Sequence, residues 1–472
     1  MTAIVRSRPR PGGRLARRPT ALAAVTLVFG LTLVFGLTLV FGLTLAGRAS
    51  AGDAPLPGDP GGLRSTLQTA GVDIGVNFVG ETFGTLQGGI HRGTIDEGRL
   101  SLALDVDLDK LTAWKGASAH ATVYEIYGHG PSANLVGNIL DVSGIEALPG
   151  PRLFTLWLEQ KLFDDRLSVR IGQLAMDDEF MISANAANLV NASFGDPAIN
   201  YSNMIAGGPI YPVATPGLRV ALSPRDDLKL LAAVFSADPG GSNCTDGVQI
   251  CDPSGTTFSF SGGALWIGEL QYQTALEGLP GTYKLGIWRE TGAFADQHFG
   301  LDTTGATVSL AAPSALRPLE HRDDFAAYGV IDQMLWHQPG TPDLGLSGFL
   351  RMGGAMPDRN LVSFYADGGL SWKGLLPDRP DDIAVIGIAY ARLSPAAARL
   401  DRDRAALDPG FPVRDYESVV ELSYLAQVRP WLSLQPDLQY IIHPGGNVPN
   451  PDSRSTPIRN ALLVGLRTTI SF

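Results

Sequence analysis

Two short segments between residues 153 and 173 place aromatic, acidic and basic side chains at alternate positions. Phe154, Leu156 and Leu158 share one parity, and Thr155, Trp157 and Glu159 share the other. After a break, Leu167, Val169 and Ile171 take one parity and Arg170 the other. Alternation of this kind puts each set on one face of a β-strand. The apolar set is expected to face outward, which leaves an indole, a carboxylate and a guanidinium on the inner face. A flat ring packs on the C–H face of a polyhydroxylated molecule, while carboxylates accept and guanidinium groups donate hydrogen bonds to its hydroxyls. The same parity nominates Lys284, Trp288, Glu290, Arg351, Glu421, Gln435, Gln439 and Arg467. Asp177, Asp178, Glu179 and Phe180 open the stretch 176–215, the longest without a strand pattern, which is expected to fold inward and narrow whatever the strands enclose. Acids mixed with arginines suit a neutral polyol better than an anion.

Other chemistry is poorly supported. The histidines, His91, His120, His129, His298, His321, His337 and His443, are scattered and form no H-E-x-x-H motif. No G-x-S-x-G or P-loop occurs. Asp105-x-Asp107-x-Asp109 lacks the Gly and the later Glu of a calcium loop, and strand alternation accounts for it. Asp378, Asp381 and Asp382 read as an acidic turn. Cys244 and Cys251 have no histidine nearby, so a local disulfide is expected rather than a metal site. We therefore expect no cofactor, no metal and no enzyme activity.

The N-terminus addresses the chain to an oxidising compartment. Arg6, Arg8, Arg10, Arg14, Arg17 and Arg18 precede an apolar stretch over 21–46, in which the hexamer TLVFGL occurs three times between Thr26 and Leu43. Ala49-Ser50-Ala51 follows as an A-x-A cleavage site. Residues 1–51 are expected to be a signal peptide cleaved after Ala51. The competing reading is a retained anchor, since the apolar stretch exceeds the usual length of about 7–15 residues. Residues 1–51 carry seven arginines and no acid, so the remainder shifts from a net −11 to −18. That balance excludes a nucleic-acid partner, which needs clustered cations.

Hydrophobic residues make up 44% of the chain and charged residues only 18%, below the quarter or so typical of a soluble globule. No apolar span of helical membrane length occurs after the N-terminus. Unbroken period-2 alternation instead runs through Leu100, Leu102, Leu104, Val106 and Leu108, and again through Leu462, Val464, Leu466, Thr468, Ile470 and Phe472. The pattern predicts sixteen strands, at 73–83, 95–110, 117–128, 151–163, 166–175, 216–223, 227–237, 257–274, 281–292, 323–337, 343–354, 361–373, 382–393, 415–429, 431–442 and 459–472. Connections after even-numbered strands are short. Most of those after odd-numbered strands are long, notably 129–150, 176–215, 293–322 and 394–414. Such an alternation marks two unlike rims. The expected fold is an all-β transmembrane antiparallel barrel of about sixteen strands over 72–472, with short periplasmic turns and long extracellular loops. Residues 52–71 are expected to form a short periplasmic segment with a helix at 63–69. In such a barrel the nominated charges also have a plainer role, satisfying one another in a polar interior, and Trp157 and Trp288 read equally as members of an interfacial aromatic girdle.

Several stretches together resemble the OprB-type carbohydrate-selective porins. They include NLVGNILDVSGIEA (134–147), LFTLWLEQKLFDDRLSVRIGQLAMDDEFMIS (153–183), NASFGDP (191–197), GGPIYPVATPGLRV (207–220), LPGTYKLGIW (279–288), RMGGAMPDRNLVSFYADGGLSWKGLLPDRPDD (351–382) and VRPWLSLQPDLQYIIHPGG (428–446). The resemblance implies passive, selective diffusion of small sugars such as glucose across a bacterial outer membrane. The extended signal region and the loop cysteines depart from the family pattern. Expected partners are small sugars, outer-membrane lipid and the barrel insertion machinery, which would read the strand ending at Phe472. A sixteen-stranded barrel is compatible with a homotrimer. The alternatives are a general or ion-selective diffusion porin and, further off, a barrel enzyme acting on lipid or glycan.

Overall fold

The computed structural model describes residues 62–472; the expected signal peptide and the first half of the 52–71 segment lie outside the described residues. The expected helix is present as α1 (Leu63–Thr69). Sixteen long strands follow: β1 (Val72–Gly89), β2 (Gly93–Asp107), β3 (Ala117–Gly128), β4 (Gly150–Leu162), β5 (Leu167–Leu174), β6 (Thr215–Arg225), β7 (Leu228–Asp238), β8 (Ser261–Leu276), β9 (Leu279–Leu301), β10 (Arg317–Gln338), β11 (Thr341–Ala355), β12 (Val362–Lys373), β13 (Ile383–Leu393), β14 (Tyr416–Arg429), β15 (Leu432–Ile442) and β16 (Arg459–Ser471). Each pairs antiparallel with its sequence neighbours, and β16 pairs with β1 to close the barrel. Phe472 completes the seam, exchanging backbone hydrogen bonds with Val76 at 2.9 and 3.3 Å.

Closure requires every strand to present one face outward, and the alternation in the sequence supplies it. Leu102 and Leu466 are each 46% exposed and Ile388 53%. Rows of exposed Leu and Ile on all sides are unfavourable in water and favourable against lipid.

Strand ends shift by a few residues, β1 running on to Gly89 and Leu108–Thr112 forming a helical turn where the second strand was expected to continue, and two stretches differ more. The hairpin of β9 and β10 extends well beyond the predicted 281–292 and 323–337, so most of the expected loop 293–322 is strand, stiffened by a short pairing of Thr307–Ser309 with β9. Residues 394–414, expected to be irregular, contain α2 (Pro395–Leu407). Ser394 caps it by accepting from the Ala397 amide at 3.0 Å, and Pro395 occupies the first turn, where its missing N–H is harmless.

The interior is largely filled. The connection between β5 and β6 folds into the barrel as short turns and helical pieces. Its Phe180, Met181, Leu189, Phe194 and Ile199 are buried against inward-facing Phe83, Phe235, Trp288, Phe349 and Tyr365 of the wall. Each such side chain contributes about 1.5–3 kcal/mol. The 129–149 connection folds in beside it. Gly88 and Gly89 make room, with φ of 71° and 67°; a Cβ on Gly89 would lie 2.4 Å from the Leu135 carbonyl oxygen. That carbonyl accepts from the Ile90 and His91 amides at 2.8 and 3.0 Å.

Within that loop Glu146 accepts from the Ser132 amide, the Ser132 hydroxyl and the Ser143 amide at 3.0, 2.6 and 3.1 Å. Burial first, and the neighbouring Asp141 second, push Glu146 up to about 8. Because the folded-state value lies above the ordinary carboxylate value, this group's contribution to stability is fully present below pH about 4.5 and is lost as pH rises through about 8. Hydrogen exchange of the Ser132 and Ser143 amides, corrected for intrinsic rate, is expected to show lower protection at pH 9 than at pH 6.

Cys244 and Cys251 form a disulfide with Cα atoms 5.7 Å apart. It staples the β7–β8 connection, which reaches across the rim. There the Ser254 carbonyl accepts from the Leu153 amide at 2.8 Å and the Asp252 carbonyl from Arg152 at 2.6 Å. A staple this short is worth about 2–3 kcal/mol to its own loop. Reduction is expected to make residues 239–260 protease-sensitive while the barrel keeps its heat resistance, read by cleavage mapping and electrophoretic mobility.

Candidate functional site

The nominated residues separate into two groups with different tasks. The larger group holds the infolded loops. Glu421 accepts from the Val190 and Asn191 amides at 2.6 and 2.9 Å. Glu290 accepts from the Ile205 amide at 3.2 Å, and Lys284 donates to the Ile182 carbonyl at 2.8 Å. Gln435 donates to the Asn188 carbonyl at 2.8 Å, and Gln439 to that of Val142 at 2.9 Å. Trp288 is buried and donates its indole N–H to Asn200 at 3.1 Å. Arg467 pairs with Glu81 and reaches the Val190 carbonyl at 3.5 Å. Arg351, fully buried, pairs with Asp367 at 2.6 Å and donates to the carbonyls of Met181, Gly195 and Ser193 at 2.9–3.1 Å. All eight point inward, as parity requires, but toward the infolded loops, seven of them to loop main chain and Trp288 to the Asn200 side chain. Asp177 likewise turns to the Tyr211 amide at 3.1 Å, and Phe180 is packed in the core.

The smaller group surrounds open space. A cavity of about 370 Å³ lies against β3, β4, β5 and the start of the infolded loop, bordered by His120, Tyr124, Trp157, Arg170, Asp178 and Glu179. Beside it Arg219 of β6 is buried in an ion-pair network, with Glu179 at 2.6 Å, Glu159 at 2.9 Å and the Ser168 hydroxyl at 2.5 Å. Arg170 lies only at ion-pair range from the same carboxylates, 3.6 Å from Glu159 and 3.9 Å from Glu179. Arg219 therefore satisfies the two glutamates. Arg170 makes no side-chain hydrogen bond among the described residues; its Nε is buried, and its terminal N–H groups remain available to a ligand. Asp178 is exposed and likewise makes none, which leaves an acceptor available.

Trp157 is neither a free platform nor part of an outer girdle. His120 from β3 stacks on it at 4.8 Å, and the Arg170 guanidinium lies 3.8 Å from its ring centroid. The indole thus holds Arg170 in place by a cation–π contact. Phe154, expected to face outward, points inward instead and stacks on Tyr124 at 5.0 Å. The cause is a register shift, in which Thr155 pairs with Thr122 but Leu153 with Val123, so that Phe154 is bulged and changes face. Strand parity also reaches His120, Tyr124 and Arg219, which were not nominated. Leu218 and Leu222 on the outer face of β6 leave Arg219 inside.

The comparisons with known proteins agree with this architecture. The family model described as carbohydrate-selective porin, OprB family, matches residues 91–472. Porin B of Pseudomonas aeruginosa is 28% identical over 437 residues, spanning 88% of this chain and 90% of that protein. The high-pH structure of Pseudomonas putida OprB superposes with a TM-score of 0.78 at 26% identity, covering 90% of this chain and all of that one. The low-pH structure of the same protein gives 0.53 at 20% over the same coverage, which bears on the fold alone. With its closed sixteen-stranded barrel and the match over most of its length, the chain belongs to the OprB family of carbohydrate-selective porins, and it is a sugar-selective channel of the outer membrane.

Proposed function

We propose that the channel admits monosaccharides such as glucose, and that Arg170 and Asp178 are the groups they meet at the narrowest point. The observation that carries this reading is a guanidinium without side-chain hydrogen bonds, held only by long ion pairs and the Trp157 ring, beside a carboxylate that also makes no side-chain hydrogen bond, on one small cavity. A hydroxyl both donates and accepts, so adjacent sugar hydroxyls satisfy both groups at once. A volume of about 370 Å³ lies at the small end of ligand sites, which favours one ring over several. The site holds a sugar weakly enough to release it, as permeation requires. Glu159, Glu179 and Arg219 support the two contact residues, and Trp157 fixes the Arg170 plane. Family membership makes the chain a channel rather than an enzyme. We further propose that residues 1–51 direct export and that the Phe472 strand is presented to the insertion machinery.

Planar bilayers test the assignment. Purified protein is expected to form stable channels whose current falls with millimolar glucose or arabinose and falls less with maltose. A strong chloride preference with no block by any sugar would overturn it.

A further inference from the structure

Glu290 of β9 and Asp324 of β10 are direct cross-strand partners on the inner face, and both are fully buried. Such partners hold their Cβ atoms about 4.5–5.5 Å apart, so two carboxylates share one enclosed space. The arginines beside them in sequence or space are engaged elsewhere. Arg289 pairs with Asp323 on the outer face at 2.9 Å. Arg359 forks onto Asp358 at 2.8 and 3.0 Å and donates to the Asp323 carbonyl at 2.6 Å. Asp238 adds further negative charge near Glu290.

The turn between β11 and β12 brings a neutral oxygen to the same place. Asn360, also fully buried, donates its amide N–H to Asp324 Oδ1 at 2.8 Å. Its own Oδ1 belongs to the same planar amide beside that carboxylate and has no hydrogen-bond partner among the described residues, and Asp324 Oδ2 has none either. Glu290 receives one donor, the Ile205 amide, 3.2 Å from each of its oxygens. A buried acceptor left unmet costs about 1–3 kcal/mol, and a charged one more. A proton on Asp324 directed at Asn360 settles two of these oxygens but leaves Glu290 ionised, enclosed and without a counter-charge. A divalent cation settles all three groups at once.

The donor set is all oxygen, which suits a hard cation. Calcium accepts carboxylates and amide oxygens together in irregular geometry, and water commonly fills its remaining positions. Among the described residues no group of three or more His, Cys, Asp or Glu side chains could hold a metal, so a site here has to recruit the neutral amide oxygen. We propose that Glu290, Asp324 and Asn360 bind one calcium ion. The ion fastens β9, β10 and the β11–β12 turn to the infolded loop, which reaches Glu290 through the Ile205 amide. Motif reading misses the site because its three residues come from two strands and a turn.

The test uses the mature chain refolded into detergent micelles with millimolar calcium or with EDTA. Wild type is expected to retain one calcium ion per barrel after gel filtration, read by plasma mass spectrometry, and to unfold at a higher temperature with calcium than with EDTA. Asp324→Asn is expected to lower calcium affinity about tenfold or more. Asn360→Asp is expected to raise it by a similar factor, because ligand charge tightens calcium sites. In EDTA that variant is expected to be less stable than wild type, since three buried carboxylates then face one another. Heat-modified electrophoretic mobility shows which variants fold, and the wild-type comparison decides if they do not. No calcium on wild type and no calcium-dependent shift in its unfolding overturns the proposal, as does undiminished affinity in Asp324→Asn. Asn360→Asp destabilised equally with and without calcium assigns the pair a proton instead and also overturns it.

Discussion

Arg351→Ala is expected to raise single-channel conductance severalfold and to abolish block by sugar. Arg351 is fully buried, as is Asp367, with which it pairs. Its remaining donors reach three carbonyls of the infolded loop, those of Met181, Ser193 and Gly195. Removing the guanidinium leaves Asp367 with the Tyr365 hydroxyl as its remaining side-chain partner, at 2.7 Å, and leaves the three carbonyls without that donor. Breaking a buried pair from one side costs about 3–5 kcal/mol. The barrel hydrogen bonds are untouched, so the loss falls on the seating of the loop, which then leaves the lumen. Arg351→Lys keeps the charge but not the planar fork and is expected to give an intermediate conductance. Bilayer recording gives the conductance, and heat-modified electrophoretic mobility confirms that the barrel still folds. A wild-type conductance for Arg351→Ala would show that apolar packing alone holds the loop.

Arg170→Ala is expected to weaken glucose block by about tenfold to a hundredfold with little change in the conductance of the unblocked channel. A hydrogen bond to a charged group is worth roughly 1.5–3 kcal/mol, which sets that range. Apart from its stacking on Trp157, Arg170 makes only long contacts with Glu159 and Glu179, so its loss leaves the Arg219 network in place. Arg219→Ala is the informative contrast. That residue is buried and hydrogen-bonds both glutamates, so its removal leaves carboxylates uncompensated and disorders the constriction. Arg219→Ala is therefore expected to change conductance and ion selectivity as well as sugar affinity. Sugar titrations on both variants separate binding from positioning.

Much of the barrel was legible because the side-chain period of a strand is two and a single apolar face has to meet lipid. Leu100–Leu104 and Leu462–Leu466 needed no further information. The same rule located Arg170 and Glu159 but misplaced Phe154, because a bulge inserts one residue and no residue type announces it. The length of β9 and β10 was hidden for a related reason. Outside the bilayer both faces of a hairpin are wet, so the contrast that marks a strand disappears. α2 did carry a local signal, Ser394 followed by Pro395, of the kind that caps a helix. The division of labour among inward residues was not legible. Glu421 and Glu159 have the same parity and chemistry, and they differ only in that a loop from more than two hundred residues away covers one of them.

The wall grips that loop mainly by its peptide groups. Glu421, Glu290 and Arg351 contact amides or carbonyls of Val190, Asn191, Ile205, Met181 and Ser193, which any residue but proline at an amide position supplies. Attachment is thereby largely insulated from the identity of the side chains the loop carries toward the solute. Substitutions at Asp178, which carries no such anchor, can accumulate without unseating the insert, so a lineage can exchange one permeant for another while the scaffold stays constant.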